Sequence, residues 1–211
     1  MIKKKFYVTT PIYYPSGKPH LGSAYTTIAA DILARWHRLL GKEVFFLTGT
    51  DEHTKKVVNE ANKSGEDVEN YLDRITDSFK QVFEKLNISY DRFIRTSDKD
   101  HKKFVQHILN VVNDKGDIYK GAYEGYYCVE CEAYYTERES LDLKCPIHQK
   151  NLDFLKEESY FFKLSKYQNK LLDFYKKNKD FISPLYRKNE IVNRFNEGLK
   201  DLSISRTNTN W

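Results

Sequence analysis

Strand, loop, helix and strand follow one another within the first fifty residues, and that succession restricts the fold more than any other feature. Phe6–Thr10 ("FYVTT") is β-branched and aromatic and reads as a strand. A Pro/Gly-rich loop runs from Pro11 to Gly22. Leu21, Tyr25, Ile28, Ile32, Trp36 and Leu39 then recur at spacings of three and four, which marks an amphipathic helix ending near Gly41. Val44–Leu47 ("VFFL") fits a buried strand, closed by the turn-forming "TGTD". Such a succession makes a βαβ unit with a parallel sheet, so the fold class is α/β.

Helical patterns continue at about 55–64 and 67–86, "DRFIRT" (Asp91–Thr96) reads as a strand, and Asp98–Asp114 as a helix. Near Asp117 the texture changes to a Tyr- and Gly-rich stretch that carries all three cysteines. Helical patterns return at Lys166–Asn178 and about Pro184–Asn196. The expected organisation is an α/β body over 1–115, an inserted metal-bearing module over 116–165 and a return to the body over 166–211.

An odd number of cysteines, clustered in one stretch, argues against a disulfide framework and for a metal site. Cys128-x2-Cys131 is separated by thirteen residues from Cys145-x2-His148. Three thiolates and an imidazole complete a tetrahedral zinc set with no position left for water, so the zinc is expected to be structural, folding a small module with little core of its own. The net charge of +5 permits a polyanionic partner without demanding one. The N-terminus "MIKKKFYVTT" has no apolar run of the secretory type and no stretch approaches the roughly 20 apolar residues of a membrane span, which points to the cytoplasm.

In "PHLG", Gly22 permits close backbone approach and His20 can donate to a phosphate at a helix N-terminus. A capping surface loop accounts for these residues equally well when they are read alone. "TGTDEH" ends a strand, so Asp51, Glu52 and His53 are expected at the carboxyl edge of the sheet, where nucleotides bind in open α/β folds.

The wider sequence resembles a known family. "HLGS" is similar to the His-Ile-Gly-His motif of class I aminoacyl-tRNA synthetases. "VTTPIYYPSGKPHLGSAYTTIAADILARWHRLLG", "FFLTGTDEH", "GYYCVECEAYYTERE", "CPIH", "ESYFF" and "LKDLSISRT" resemble the methionyl-tRNA synthetase family in the same order. The resemblance implies the first half of a Rossmann-like nucleotide-binding fold with an inserted zinc-knuckle module that approaches the tRNA acceptor end. It implies methionine, ATP (taken with Mg2+) and tRNA(Met) as substrates, and transfer of methionine to tRNA through methionyl-adenylate. By the same resemblance His20 contacts the ATP phosphates, Gly22 leaves room for adenine, Ser23 stands where the family has a second histidine, and Ile12 and Tyr14 line the methionine side-chain pocket. Asp51 binds the substrate ammonium, His53 lies nearby with Thr54 in place of the family's glycine, and Arg206 approaches the active site.

Lys163–Tyr167 ("KLSKY") is similar to the Lys-Met-Ser-Lys-Ser signature that clamps ATP phosphates, but directly after "ESYFF" it is expected to be an ordinary segment. The true signature and the second half of the fold are then expected beyond Trp211, and this chain alone is expected to activate methionine weakly or not at all. The alternatives are an inactive zinc-stabilised RNA-binding module and a class I synthetase for another amino acid.

Overall fold

The computed structural model describes residues 4–128, 130, 131, 133–135, 140 and 142–205. Arg206 lies outside these residues. The chain divides into two compact units, one up to Gln106 and one from His107.

In the first unit the order is β1 (Lys5–Thr9), α1 (Leu21–Leu39), β2 (Glu43–Thr50), α2 (Lys55–Ser64), α3 (Val68–Lys85) and β3 (Arg92–Arg95), followed by α4 (Lys99–Asp114), which runs into the second unit. The strands form a parallel sheet in the order β1-β2-β3, with Val8 opposite Phe46 and Thr48 opposite Phe93. The expected βαβ unit is present. Ala30, Ala34 and Phe46 form one core cluster with Val8 and Val44. A larger one joins Val57 and Ala61 of α2 to Tyr71, Leu72, Ile75, Phe79 and Phe83 of α3. Removing a ring such as Phe83 from this cluster costs about 3–5 kcal/mol.

The apolar stripe that marks α1 in the sequence does not face this core. Leu21 is 85% exposed and Leu39 82%, with Tyr25, Ile32 and Trp36 exposed between them. The buried face of α1 is Ser23, Thr27, Ala30, Asp31 and Ala34. Small side chains let the helix axis lie close to the strands, and the polar ones among them are satisfied internally. Thr27 Oγ1 donates to Ser23 O, and Asp31 accepts from the amide and hydroxyl of Ser89. Tyr7 and Phe45, which alternate with the core-facing residues of β1 and β2, meet as a tilted ring pair with centroids 6.0 Å apart and are exposed.

The second unit contains β4 (Ile118–Cys128), β5 (Ala133–Tyr135), β6 (Asp153–Phe162), a 3-10 turn at Leu164–Tyr167, α5 (Gln168–Lys177), α6 (Leu185–Asn196) and β7 (Leu202–Ser203). Its sheet is antiparallel, in the order β5-β4-β6-β7. The sheet extends beyond the expected insert of 116–165, because Leu202 and Ser203 pair with Phe162 and Phe161.

Candidate active site and metal centre

His20 is the N-cap of α1. Its Nδ1 accepts the Gly22 amide at 3.0 Å, which places the proton of a neutral ring on Nε2. The helix thus begins with an imidazole N–H donor beside its positive dipole end. Ser23 is buried and completes a reciprocal cap: its hydroxyl accepts the His20 amide at 3.1 Å and donates to the His20 carbonyl at 3.0 Å. A β-carbon on Gly22 would fall 2.8 Å from His20 Cε1, so glycine here is what allows the imidazole to fold over the helix end.

The preceding loop is fastened to the end of β2. Tyr13 N donates to Gly49 O, and Asp51 N donates to Tyr13 O, both at 2.9 Å. Tyr13 turns inward, stacks on Phe79 and bonds Thr27 at 2.8 Å. Ile12 and Tyr14, on either side of it, are exposed. A cavity of 390 Å³ opens here, lined by Ile12, Tyr14, His20 and Ser23 together with Lys18 and Lys56; its lining holds no acidic side chain.

Asp51, Glu52 and His53 do lie at the carboxyl end of β2. No hydrogen bond from a described residue ties down the Asp51 carboxylate. The ring Nδ1 of His53 is 3.1 Å from Thr96 Oγ1. Burial, then the Lys102 ammonium, lowers the His53 pKa against the opposing pull of Asp51 and Glu52. Thr54, where the resemblance calls for glycine, is the buried N-cap of α2, its Oγ1 accepting from Val57 N at 3.2 Å.

Glu52 fixes this corner. Its side chain is fully buried. Oε1 accepts from Thr50 and Thr76 at 3.0 Å each and from Arg95 Nε at 2.7 Å, while Oε2 accepts from Ser97. Its amide donates to Thr96 Oγ1 at 2.8 Å. The ends of β2 and β3 and the middle of α3 are thereby tied to one carboxylate, between the two residues expected to meet substrate. Sequence reasoning placed Glu52 at the sheet edge but gave it no task. Apart from Thr50, its partners lie 24 to 45 residues away, and only the fold brings them in.

In the second unit the ligand atoms of Cys128, Cys131, Cys145 and His148 all lie within 4.8 Å of one another. The Cys131–Cys145 sulfurs are 3.5 Å apart, and His148 Nδ1 is 3.2 to 3.8 Å from the three sulfurs. A tetrahedral zinc ion with Zn–S of about 2.3 Å spaces its sulfurs roughly 3.8 Å apart, so the four residues fit the ion. Burial opposes ionisation of Cys145, but the His148 and Ile147 amides outweigh it and bring the thiol down to about 6. Burial pushes the Cys128 thiol up to about 11.

The segment "KLSKY" is held by two aspartates. Lys166 and Tyr167 both bond the buried Asp117. Asp201 accepts from the Ser165 hydroxyl at 2.6 Å and its amide at 3.1 Å. Lys166 and Ser165 thus have structural partners, in keeping with the reading that this is not a phosphate clamp.

The family model for tRNA synthetases class I (M) matches residues 6–153 and 142–211. The chain belongs to this family. It is 51% identical to the methionine–tRNA ligase of Clostridium tetani over 212 residues, covering 100% of this chain and 33% of that protein. It is 47% identical to that of Thermotoga maritima over 211 residues, covering 98% of this chain and 34% of that protein. The methionyl-tRNA synthetase of Mycobacterium tuberculosis in complex with methionyl-adenylate has a similar structure, with a TM-score of 0.93 and 42% identity over 99% of this chain and 42% of that one. The apo form of the same protein gives 0.78 at 40% identity, covering 99% of this chain and 40% of that one. The chain therefore spans about a third of the length of the curated ligases it matches. Its α/β body has the class I synthetase catalytic fold, and the Cys3His cluster is consistent with a zinc knuckle.

Among the residues expected in a class I synthetase site, Ile12, Tyr14, His20 and Ser23 share one cavity. Gly22 shapes it through His20, and the backbone of Asp51 is bonded to the loop that forms its wall, with His53 two residues further on beside Thr96. Lys56 lines the same cavity but was not expected; in the sequence it is one of two adjacent lysines in the first turn of α2, with nothing to set it apart.

Proposed function

We propose that this chain carries the part of a methionine–tRNA ligase that activates methionine with ATP. The observation that carries the reading is the cavity at the N-terminus of α1, where an apolar and aromatic wall (Ile12, Tyr14) meets cationic and hydrogen-bond donors (His20, Lys18, Lys56). A thioether side chain suits the first group through dispersion and sulfur–aromatic contact. A polyphosphate suits the second.

In the reaction a methionine carboxylate oxygen forms a bond to the α-phosphorus of ATP. The bond from that phosphorus to the bridging oxygen breaks, and pyrophosphate leaves with the electron pair. Such a displacement needs alignment and charge stabilisation more than covalent help from the protein. His20 Nε2–H donates to the phosphate oxygens as charge shifts onto them, and the helix dipole acts in the same direction. Asp51 takes the substrate ammonium by a charge-assisted contact, and His53 borders that position. Mg2+ accompanies ATP. Arg206 is proposed at the same site. The four residues of the Cys3His cluster hold structural Zn2+, and tRNA(Met) receives the methionine.

The test is amino-acid-dependent exchange of pyrophosphate into ATP by the intact gene product, run with a panel of amino acids. Methionine alone should support exchange. Exchange with another amino acid would favour a different class I specificity, and none at all would favour an RNA-binding module. The 211-residue chain alone, which lacks a Lys-Met-Ser-Lys-Ser sequence, should show little exchange.

A further inference from the structure

Three sulfurs and one imidazole around a divalent ion leave the cluster with a net negative charge, since three thiolates exceed the two positive charges of zinc. Donors to the sulfurs are needed to spread that charge, and the protein supplies at least one to each. Cys128 Sγ receives the Cys131 amide at 3.4 Å, and Cys145 Sγ receives the His148 amide at 3.4 Å. These two come with the paired x2 turns themselves. Among the described residues no backbone amide reaches Cys131. Its donor is instead the hydroxyl of Tyr135, at 3.1 Å.

Tyr135 comes from β5, where it pairs with Tyr126 of β4. Its ring packs against the small cluster of Cys128, Cys145 and Leu152. Beside it, Lys150 pairs with Glu130, joining the residue inside the first turn to the residue just after the second. The hydroxyl–sulfur contact thus ties this strand to the knuckle in addition to its ring packing and its pairing with β4.

We propose that Tyr135 is a working member of the metal site: its hydroxyl donates to the Cys131 thiolate, strengthens metal binding and fastens β5 to the knuckle. The proposal rests on the reading that Cys128, Cys131, Cys145 and His148 hold zinc. Outer hydrogen bonds of this kind are worth roughly tenfold to a hundredfold in metal affinity.

The test compares wild type, Tyr135→Phe and Tyr126→Phe in the whole chain. Zinc affinity is read by competition with a chromophoric chelator, and the thiolate-to-metal charge-transfer band is read after loading with cobalt alone. Tyr135→Phe should bind zinc at least about tenfold more weakly and shift the cobalt band, while Tyr126→Phe leaves both unchanged. The tetrahedral cobalt spectrum itself reports that the variant site has formed. An affinity within about twofold of wild type with an unmoved band would overturn the proposal, and so would an equal loss in Tyr126→Phe, which would show that the effect does not belong to the hydroxyl–sulfur contact. Failure of the wild type to bind either ion would overturn the zinc reading itself.

Discussion

Replacing Glu52 by alanine should loosen the carboxyl edge of the parallel sheet more than any other single substitution there. The side chain is fully buried and accepts from Thr50, Thr76, Arg95 and Ser97. Alanine leaves these donors without an acceptor and the Arg95 guanidinium without its buried partner. Removing one member of a buried pair costs about 3–5 kcal/mol. Arg95 is 22% exposed and keeps Asp73 at 2.6 Å, so the lower end applies, about 3 kcal/mol. Glutamine keeps the shape and an acceptor oxygen but loses the charge, which should cost about 1–2 kcal/mol. Hydrogen exchange of the β2 and β3 amides measures this directly, because their protection follows the stability of the unit. At 1.4 kcal/mol per tenfold, Glu52→Ala should speed exchange by about a hundredfold and Glu52→Gln by about tenfold. Rates within about threefold of wild type in both variants would refute the assignment of Glu52 as the anchor of this corner.

Gly49→Ala should be damaging for a different reason: its β-carbon would lie 1.9 Å from the Ile94 carbonyl oxygen, forcing β2 and β3 apart. A loss of about 3 kcal/mol is expected, visible as a lowered thermal midpoint; an unchanged midpoint would contradict the close approach. At Asp31, burial raises the pKa, but hydrogen bonds from Ser89 and Arg35 outweigh it and hold the carboxyl below its usual 3.8. A depressed carboxylate contributes stability above its unfolded pKa and loses it as pH falls through the folded value. Wild type should therefore lose urea resistance below pH 3.8 more steeply than Asp31→Asn, and parallel curves would count against the buried network. Chelation of zinc should remove the far-UV signature of the β4–β6 sheet near the knuckle while leaving β2 exchange unaffected, and loss of both together would show the two units to be coupled.

The parallel sheet was legible because β1 and β2 are short runs of apolar and β-branched residues followed by Gly or Pro signals, and each strand pairs with the next in chain order. The metal cluster was legible because two x2 turns leave little freedom to four ligands. The orientation of α1 was not, since periodicity locates an apolar stripe without saying what covers it, and here Ala30, Ala34 and Thr27 lie against the sheet. The anchoring role of Glu52 was hidden for a related reason: Thr76, Arg95 and Ser97 belong to elements whose adjacency is a product of folding. The sheet's reach past residue 165 rests on two residues, Leu202 and Ser203, too short a run to announce a strand.

The central claim is that one cavity divides its work between a phosphate-facing histidine and a methionine-facing wall. Methionine-dependent pyrophosphate exchange by the intact gene product, measured for His20→Ala and Ile12→Ala, tests that division. His20→Ala should lower kcat by about a hundredfold or more with little change in the KM for methionine, as removal of a donor to a developing anion does. Ile12→Ala should raise the KM for methionine several-fold with kcat nearly kept. Wild-type kinetics in both variants would contradict the account.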